Sequence, residues 1–278
     1  MTDTATASPD QAAKWNDRTG RTWAELGDML DRLLEPFVPL VLDEVEPLAG
    51  RRIIDVGCGA GALSLAPAGR GARVLGADIS APLVEAARAR AAGFGAAGAE
   101  FVQADAQSHR FEPADFDALV SRFGVMFFDD PVEAFRNLRR AVRPGGRLAC
   151  LAWRSPAENG FMTAAERAAA HLLPQLPERI DGGPGQFGFA DSGRVAAILA
   201  TSGWLGVEIG PVDVECRLPE TDLRVYARRM GPVAELLPTL DDSLRAEVER
   251  RLDEAFQPYV QSGEARFTAA CWMVTASN

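Results

Sequence analysis

The residues best suited to chemistry in this sequence are a group of closely spaced glycines and the aspartates around them. Three glycines directly follow the apolar run Ile53–Val56, at Gly57, Gly59 and Gly61. A glycine-rich turn between a strand and a helix lets the backbone approach a ligand closely and directs free N–H groups toward it. The spacing predicts a ligand-binding turn, and with Ala62 it also satisfies the G-x-G-x-x-A fingerprint of dinucleotide-binding enzymes.

Three aspartates discriminate between the ligands that such a turn accepts. Asp55 lies two residues before Gly57, and Asp78 lies seventeen residues after Gly61. A carboxylate at position 55 would repel a pyrophosphate, whereas it suits a ligand that carries an ammonium or sulfonium group. Asp78 is placed to bind ribose hydroxyls in either case, and Asp105 adds a third acid. The pattern favours a positively charged nucleoside ligand over NAD.

The elements that must position these residues are strands that alternate with helices. Five apolar runs separated by helical segments are predicted as strands: Ile53–Val56, Val74–Ala77, Glu100–Ala104, Phe116–Ser121 and Arg147–Trp153. Such alternation predicts a parallel sheet covered by helices on both faces. Right-handed crossovers place all the carboxyl ends of these strands at one edge. We therefore expect Asp55, Asp78, Asp105 and Ser121 to face one crevice.

The rest of the chain is predicted to surround this core as parts of a single domain, 1–278. Residues 1–10 are expected to form a flexible arm, and the helical pattern of residues 11–48 predicts an N-terminal lid over the core of residues 50–154. Helical segments dominate residues 155–278, with strands expected at Val207–Leu218 and Arg266–Ala276. We expect these helical segments to form a cap over the carboxyl edge of the sheet.

In these motifs the sequence resembles the class I S-adenosylmethionine-dependent methyltransferases, specifically the small-molecule branch with the ubiquinone and menaquinone enzymes. The matching segments follow one another in the family's order and spacing: Ile53–Gly61, Gly76–Ser80, Gln103–Ala106, Asp117–Phe123 and Leu138–Leu148. The resemblance implies a Rossmann-like, doubly wound α/β fold. Its seven-stranded sheet would be mostly parallel, with an antiparallel last strand and helical cap insertions. S-adenosylmethionine is the implied cofactor.

The resemblance also implies which residues contact the cofactor. It places Asp55 near the methionine amino group, with the glycine segment lining methionine and ribose, and Asp78 on the ribose hydroxyls. Ile79 would pack on the adenine, Asp105 and Ala106 would bind its edge, and Ser121 and Phe123 would border the methionyl group. The full set of implied cofactor contacts is Trp15, Trp23, Asp55, Gly57, Cys58, Gly59, Gly61, Asp78, Ile79, Asp105, Ala106, Ser121 and Phe123.

Composition narrows the range of partners. The net charge of −10 argues against DNA, RNA or an anionic membrane surface as a partner. No apolar stretch is long enough to span a bilayer. The four cysteines form no closely spaced pair and only two histidines are present, so neither a metal site nor a disulfide is expected. We predict a cytoplasmic monomer or homodimer that acts on a small molecule.

The sequence does not identify the methyl acceptor or a catalytic base. A moderately hydrophobic small molecule, methylated on O, C or N, fits the apolar composition of the predicted cap. The only catalytic candidates are His171, at a helix end, and Arg122, which either binds an acidic substrate or pairs with Asp55 or Asp117. Two alternatives remain at this point: an NAD-dependent oxidoreductase on a similar fold, and a non-catalytic partner subunit that binds the cofactor.

Overall fold

The protein, described here by a computed structural model for residues 9–95 and 98–278, is built on an eight-stranded sheet. Most of the predicted arm, residues 1–8, lies outside the described residues. The strands run in the spatial order β3-β2-β1-β4-β5-β8-β6, and β7 pairs with β8. Their bounds are β1 Arg52–Val56, β2 Arg73–Asp78, β3 Ala99–Gln103, β4 Phe116–Arg122, β5 Val142–Trp153, β6 Leu205–Pro219, β7 Val260–Gln261 and β8 Glu264–Ser277.

The pairing of the strands confirms the mostly parallel sheet with an antiparallel last strand. Strands β1 to β5 pair in parallel, and β8 is inserted antiparallel between β5 and β6. The sheet has eight strands rather than the expected seven because Val260 and Gln261 pair with the start of β8 as a short hairpin. Two residues are too few for a periodic apolar pattern, so the sequence carries no signal for β7.

Twelve α-helices connect and cover the strands within the described part of the chain. They are α1 Pro9–Asn16, α2 Arg18–Glu25, α3 Gly27–Leu34, α4 Phe37–Asp43, α5 Ala62–Ala68, α6 Ala81–Phe94, α7 Pro131–Ala141, α8 Ala164–Ala169, α9 Ser192–Thr201, α10 Glu220–Arg229, α11 Gly231–Leu236 and α12 Asp242–Phe256. Strand β5 starts at Val142, five residues earlier than the predicted Arg147. The strand begins earlier because Val142 pairs with Phe116 of β4, and Gly145 and Gly146 hydrogen-bond to the backbone of Asn278.

Apolar burial fixes the sheet between its helices. Ile53, Ile54, Leu119 and Leu148 on the central strands are fully buried, as the near-continuous apolar runs of a two-faced sheet require. A second, smaller apolar cluster lies among the helices that follow β5, and it includes Leu173, Val233, Val248 and Leu252. The helical segments beyond residue 155 therefore have packing of their own, which holds them in place over the sheet edge.

The N-terminal helices are attached to the turn between β2 and α6. The Asn16 side chain donates to the Ile79 carbonyl at 3.0 Å and accepts from the Ala81 N–H at 2.8 Å. Ser80 Oγ donates to the Trp15 carbonyl at 2.7 Å, and it also accepts the Leu83 N–H as the N-cap of α6. Because Asp78 immediately precedes this turn, α1 is anchored beside the predicted ribose acid.

Helices α2 and α3 also meet the helices α10 and α11 across an exposed polar boundary, which we call the seam. Arg18 Nη2 donates to the Ala234 carbonyl at 3.2 Å, and Thr19 Oγ1 hydrogen-bonds Glu235 at 3.2 Å. An ion pair of 2.8 Å joins Arg32 to Asp222. The N-terminal and C-terminal parts of the chain thus touch each other through exposed polar groups.

The next features concern membranes, metals and thiols as expected or excluded partners. Of the helices within residues 9–95 and 98–278, none is both long and apolar enough to cross a membrane. Across the same residues, no group of three or more His, Cys, Asp or Glu side chains is placed to hold a metal ion. All four cysteines are free and buried.

Candidate cofactor and acceptor site

A cavity of about 1040 Å³ lies where the carboxyl ends of β1, β2 and β4 meet the N-terminal helices and the helices after β5. Its volume is at the upper end of the range for small-molecule sites. It brings together most of the residues singled out in the sequence: Trp15, Trp23, Asp55, Gly57, Cys58, Gly59, Asp78, Ile79, Asp105, Ala106, Arg122 and Phe123. Gly61, Ser121 and His171 do not line it.

The glycine turn forms the floor of the cavity. Gly57 has φ +67°, and a Cβ at this position would lie 2.6 Å from the Cα of Gly124, so the residue packs directly against a second glycine. Gly59 has φ +55°, but a Cβ there would meet nothing within 4 Å. Only glycine adopts these left-handed conformations at low cost. The turn is therefore tight on the side of Gly57 and open at Gly59.

Gly61 has a different role from the predicted contact with the cofactor. It is the left-handed N-cap of α5, with φ +88°, and is buried. A Cβ there would approach the Phe101 ring at 3.0 Å and Ala87 Cβ at 3.1 Å. Gly61 therefore lets α5 pack against α6 and β3 beneath the turn.

Asp55 carries the clearest electrostatic feature of the site. Its side chain is buried, and Oδ2 accepts a 2.6 Å hydrogen bond from Ser64 Oγ. The buried Oδ1 atom has no hydrogen-bond partner among the described residues. Burial raises the pKa of this carboxyl from 3.8 to about 7, although the Ser64 hydrogen bond and the Arg122 charge oppose the rise. An unpartnered carboxylate oxygen of this kind can accept a hydrogen bond from a cationic donor.

Asp78 links the glycine turn to the start of α6. Its Oδ2 accepts the Gly59 N–H at 2.8 Å, and its Oδ1 accepts the Ser80 N–H at 2.9 Å. Burial raises its pKa, and the backbone hydrogen bonds partly offset that effect. Each oxygen keeps a second lone pair. Asp78 therefore shapes the site and still has acceptor capacity facing the cavity.

The loop after β3 forms the wall next to Asp78. Asp105 folds back on this loop, with Oδ1 accepting the Gln107 N–H at 2.9 Å and Oδ2 accepting Ser108 Oγ at 3.2 Å. Ala106 is buried, and its carbonyl accepts from Asn137 Nδ2 at 3.0 Å. Asp105, Ala106 and Ile79 thus lie together along one side of the cavity.

Ser121 is buried between β4 and β1. It is fully buried, its Oγ donates to the Val56 carbonyl at 2.7 Å, and the same oxygen accepts the Gly124 N–H at 3.2 Å. The hydroxyl therefore ties β4 to β1 and holds the turn that brings Gly124 against Gly57. Val56 and Gly124 line the cavity, so Ser121 lies directly behind these two lining residues and does not line the cavity itself.

Phe123 is the aromatic side chain at the centre of the cavity wall. It has a left-handed backbone with φ +63°, which is uncommon for a residue with a Cβ. Its ring stacks on Trp153, with a centroid separation of 3.9 Å and an interplanar angle of 5°, and meets Phe37 edge-on. Both rings line the cavity, so the stacked pair gives it a flat apolar surface.

The two catalytic candidates are placed very differently. His171 is exposed just beyond α8 and does not line the cavity. Arg122 does line the cavity, but it pairs with neither acid expected from the sequence. Its Nη1 donates to the Leu34 carbonyl at 3.0 Å, and its Nη2 lies 3.9 Å from Asp31. Asp117 instead pairs with Arg143 at 2.8 Å.

The two predicted N-terminal aromatics cover the opening beside the turn. Trp15 packs edge-on against Trp23, with ring centroids 5.9 Å apart, and against Phe127 at 5.3 Å. Both tryptophans are also lining residues, so packing and contact with a ligand are compatible here. Phe127 itself belongs to the loop after β4, which joins this aromatic group to the sheet edge.

Several lining residues had no signal in the sequence. Asp31 of α3 contacts Arg90, which also donates to the Ala60 carbonyl in the glycine turn at 3.2 Å and to Asp28 at 3.0 Å. Tyr226 and Glu166 lie in the helices after β5, and burial raises the pKa of Tyr226 to about 12. These residues lie in helical segments whose spacing shows only an apolar face, so their approach to the cavity depends on tertiary packing.

Comparisons with known proteins identify the fold and the chemistry. Residues 54–150 match the family described as a methyltransferase domain. An uncharacterised protein of Mycobacterium tuberculosis is 29% identical over 271 residues, which cover 95% of each chain. The demethylmenaquinone methyltransferase of Thermus thermophilus is 34% identical over 167 residues, covering 58% of this chain and 76% of that protein.

Solved structures show the same fold. The phosphoethanolamine N-methyltransferase 2 of Haemonchus contortus, in complex with phosphomonomethylethanolamine and S-adenosylhomocysteine, superposes with a TM-score of 0.60. The match has 17% identity and covers 95% of this chain and 60% of that one. The cofactor is S-adenosylmethionine, and the protein is a methyltransferase. This replaces both alternatives, the NAD-dependent oxidoreductase and the non-catalytic partner subunit. The chain belongs to the class I S-adenosylmethionine-dependent methyltransferases.

Proposed function

We propose that the enzyme methylates a small, largely apolar and uncharged or cationic acceptor in the cavity described above. The observation that carries the cofactor half of this proposal is the buried Asp55 Oδ1, which has no partner within the described chain. An α-ammonium group supplies the donor that this oxygen lacks, and a sulfonium nearby gains from the same negative charge. The residues therefore fit S-adenosylmethionine.

The remaining cofactor contacts follow from the position of Asp55. The open side of the glycine turn at Gly59 leaves room for the ribose, and Asp78 beside it has acceptor capacity for the ribose hydroxyls. Ile79 and Ala106 offer apolar surface for the adenine, and Asp105 lies at its edge. Trp15 and Trp23 would cover the bound cofactor.

The character of the acceptor follows from the charges that line the cavity. Ten carboxylates and four basic side chains lie along it, which disfavours an acidic acceptor. In the part formed after β5, Arg179 is paired with Glu166 at 2.6 Å and Arg194 donates to the Gly188 carbonyl at 2.9 Å. The stacked Phe123 and Trp153 rings provide a flat surface for the body of an aromatic or quinone-like acceptor.

Catalysis would rest on positioning and on the exclusion of water. S-adenosylmethionine supplies a methyl group already activated by its sulfonium. The protein orients the acceptor against the Phe123 face and encloses the site with the N-terminal helices. Tyr226 lies in the cavity, but its raised pKa of about 12 makes it a poor base at neutral pH. The proton of a phenolic or hydroquinone acceptor would therefore pass to solvent rather than to Tyr226.

The domain organisation also enters the proposal. We infer that the whole chain acts as one domain in which residues 11–48 serve as a lid and residues 155–278 complete the acceptor pocket. The attachment of α1 to the β2–α6 turn and the seam support this division. The proposal also includes a cytoplasmic location, because free buried cysteines suit a reducing compartment. We further propose that the protein is a monomer or a homodimer.

An acceptor screen with S-adenosylmethionine labelled in its methyl group tests the proposal. Neutral phenols, hydroquinones and aromatic amines should accept label, and their carboxylated analogues should not. Turnover of the carboxylated compounds alone would contradict the proposed class. Phe123→Ala should raise KM for the acceptor by more than it weakens cofactor binding, because the acceptor loses the whole stacking surface while the cofactor is only bordered by the ring at its methionyl group. Phe111→Ala, an aromatic that does not line the cavity, is the matched control.

A further inference from the structure

The register of the central strands places a charged pair at the cofactor end of the cavity. Asp55 of β1 is paired with Val120 of β4 in a parallel ladder. Side chains two residues apart on a strand share a face of the sheet, so Arg122 lies on the same face as Asp55 and one step closer to the carboxyl edge. Both residues line the cavity.

Arg122 has more donors than the protein uses. A guanidinium carries five N–H groups. Among the described residues it makes one hydrogen bond, to the Leu34 carbonyl at 3.0 Å. The 3.9 Å separation from Asp31 is an ion pair but too long for a hydrogen bond. Asp31 is instead held closely by Arg90 at 2.5 Å, so the fork of Arg122 is left with unused donors.

Asp55 has the complementary surplus. One oxygen is taken by Ser64, and the other is buried without a partner in the described chain. An unused acceptor and unused donors therefore stand on one face of the sheet, at neighbouring strand ends. They carry opposite charges. A ligand that satisfies both must present a cation and an anion close together, which is the pattern of a free α-amino acid.

We propose that Arg122 binds the α-carboxylate of the methionyl moiety while Asp55 binds its α-ammonium group, so that the pair selects the zwitterionic end of the cofactor. The inference rests on the proposed assignment of Asp55. The other basic lining residues, Lys14, Arg179 and Arg194, belong to α1 and to the region after β5 rather than to the sheet edge. Arg122 is thus a cofactor-binding residue, and an acidic acceptor is not its ligand.

Paired ligands test this assignment by calorimetry, without any measurement of turnover. S-adenosylhomocysteine and its decarboxylated analogue, S-adenosyl-3-thiopropylamine, differ only in the carboxylate. The wild-type protein should bind S-adenosylhomocysteine about 10- to 100-fold more tightly, the range of a charge-assisted hydrogen bond. In Arg122→Gln this preference should fall to about threefold or less, because the amide keeps a donor for Leu34 but loses the charge.

Arg90→Gln is the matched control. Arg90 contacts the same Asp31 but does not line the cavity, so its loss should leave the ratio of the two affinities unchanged. An Arg122→Gln variant that keeps the wild-type ratio, or that weakens both ligands equally, would show that Arg122 is only a structural support. If that variant does not fold, the wild-type ratio decides alone, and equal affinities overturn the proposal. The acceptor screen is independent of this result.

Discussion

Replacing Asp55 by asparagine should stabilise the ligand-free protein and weaken its hold on the cofactor at the same time. The pKa of this carboxyl rises from 3.8 to about 7 because the folded protein buries it. The folded state therefore binds the proton more tightly than the unfolded chain, and ionisation costs folding free energy as pH rises. A shift of this size corresponds to about 4 kcal/mol.

The stability gained by Asp55→Asn should depend on pH. The free energy of unfolding of Asp55→Asn should be higher than that of the wild type by less than about 1 kcal/mol at pH 4 and by about 4 kcal/mol at pH 7. Above pH 7 the difference should level off. Urea denaturation at a series of pH values measures the difference. Asp130→Asn, which replaces an exposed helix cap outside the cavity, controls for the amide. A gain that does not change with pH would refute protonation of Asp55 in the folded protein.

Cofactor binding should show the opposite response to the same proton. The ammonium group of S-adenosylhomocysteine favours the ionised carboxylate, so affinity should rise between pH 6 and pH 8, and binding at pH 7 should release about half a proton. Calorimetry in two buffers of different ionisation enthalpy measures that release. The Asp55→Asn variant should lose it together with at least tenfold in affinity. Proton release that survives in the variant would mean that another group titrates.

Four further substitutions probe the turn and its supports. Asp78→Ala should weaken S-adenosylhomocysteine binding by about 1–3 kcal/mol by calorimetry; unchanged affinity in the folded variant would reject the ribose assignment. In urea denaturation, Gly57→Ala should destabilise by more than Gly59→Ala, because both strain a left-handed backbone by about 1–2 kcal/mol but only the first collides with Gly124. Equal losses would contradict that contact. Ser121→Ala should lower the free energy of unfolding by about 1–3 kcal/mol and leave the cofactor affinity unchanged. A loss of cofactor affinity without a loss of stability would show that Ser121 contacts the cofactor.

The parts of the site that could be predicted are those governed by local chain geometry. Asp55 and Asp78 follow from their place at strand ends, since parallel strands deliver their carboxyl ends to one edge. Ser121 meets the same criterion and yet is fully buried, and two-faced burial removes the alternation that would show this in the sequence. The spacing of Gly61 fits a ligand turn, but the spacing alone does not reveal that its backbone also serves helix packing.

Other features depend on contacts between distant segments. Arg122 meets Asp31 across ninety-one residues, and the sequence offers several acids closer to it. Tyr226 enters the cavity from a helix whose periodicity identifies only an apolar face. Charge and spacing along the chain do not determine such encounters. They become visible only when the helices after β5 are placed over the sheet.

The seam between the N-terminal and C-terminal helices has a consequence for the exchange of ligands. Arg18, Glu235, Arg32 and Asp222 hold it by exposed polar contacts, whereas the sheet beneath is held by apolar burial. Exposed ion pairs are individually weak and are screened by salt, so this boundary can part while the core stays folded. Ligands should therefore enter and leave the cavity faster as ionic strength increases. Where product release is slow, the opening of the seam rather than the methyl transfer would set the turnover rate.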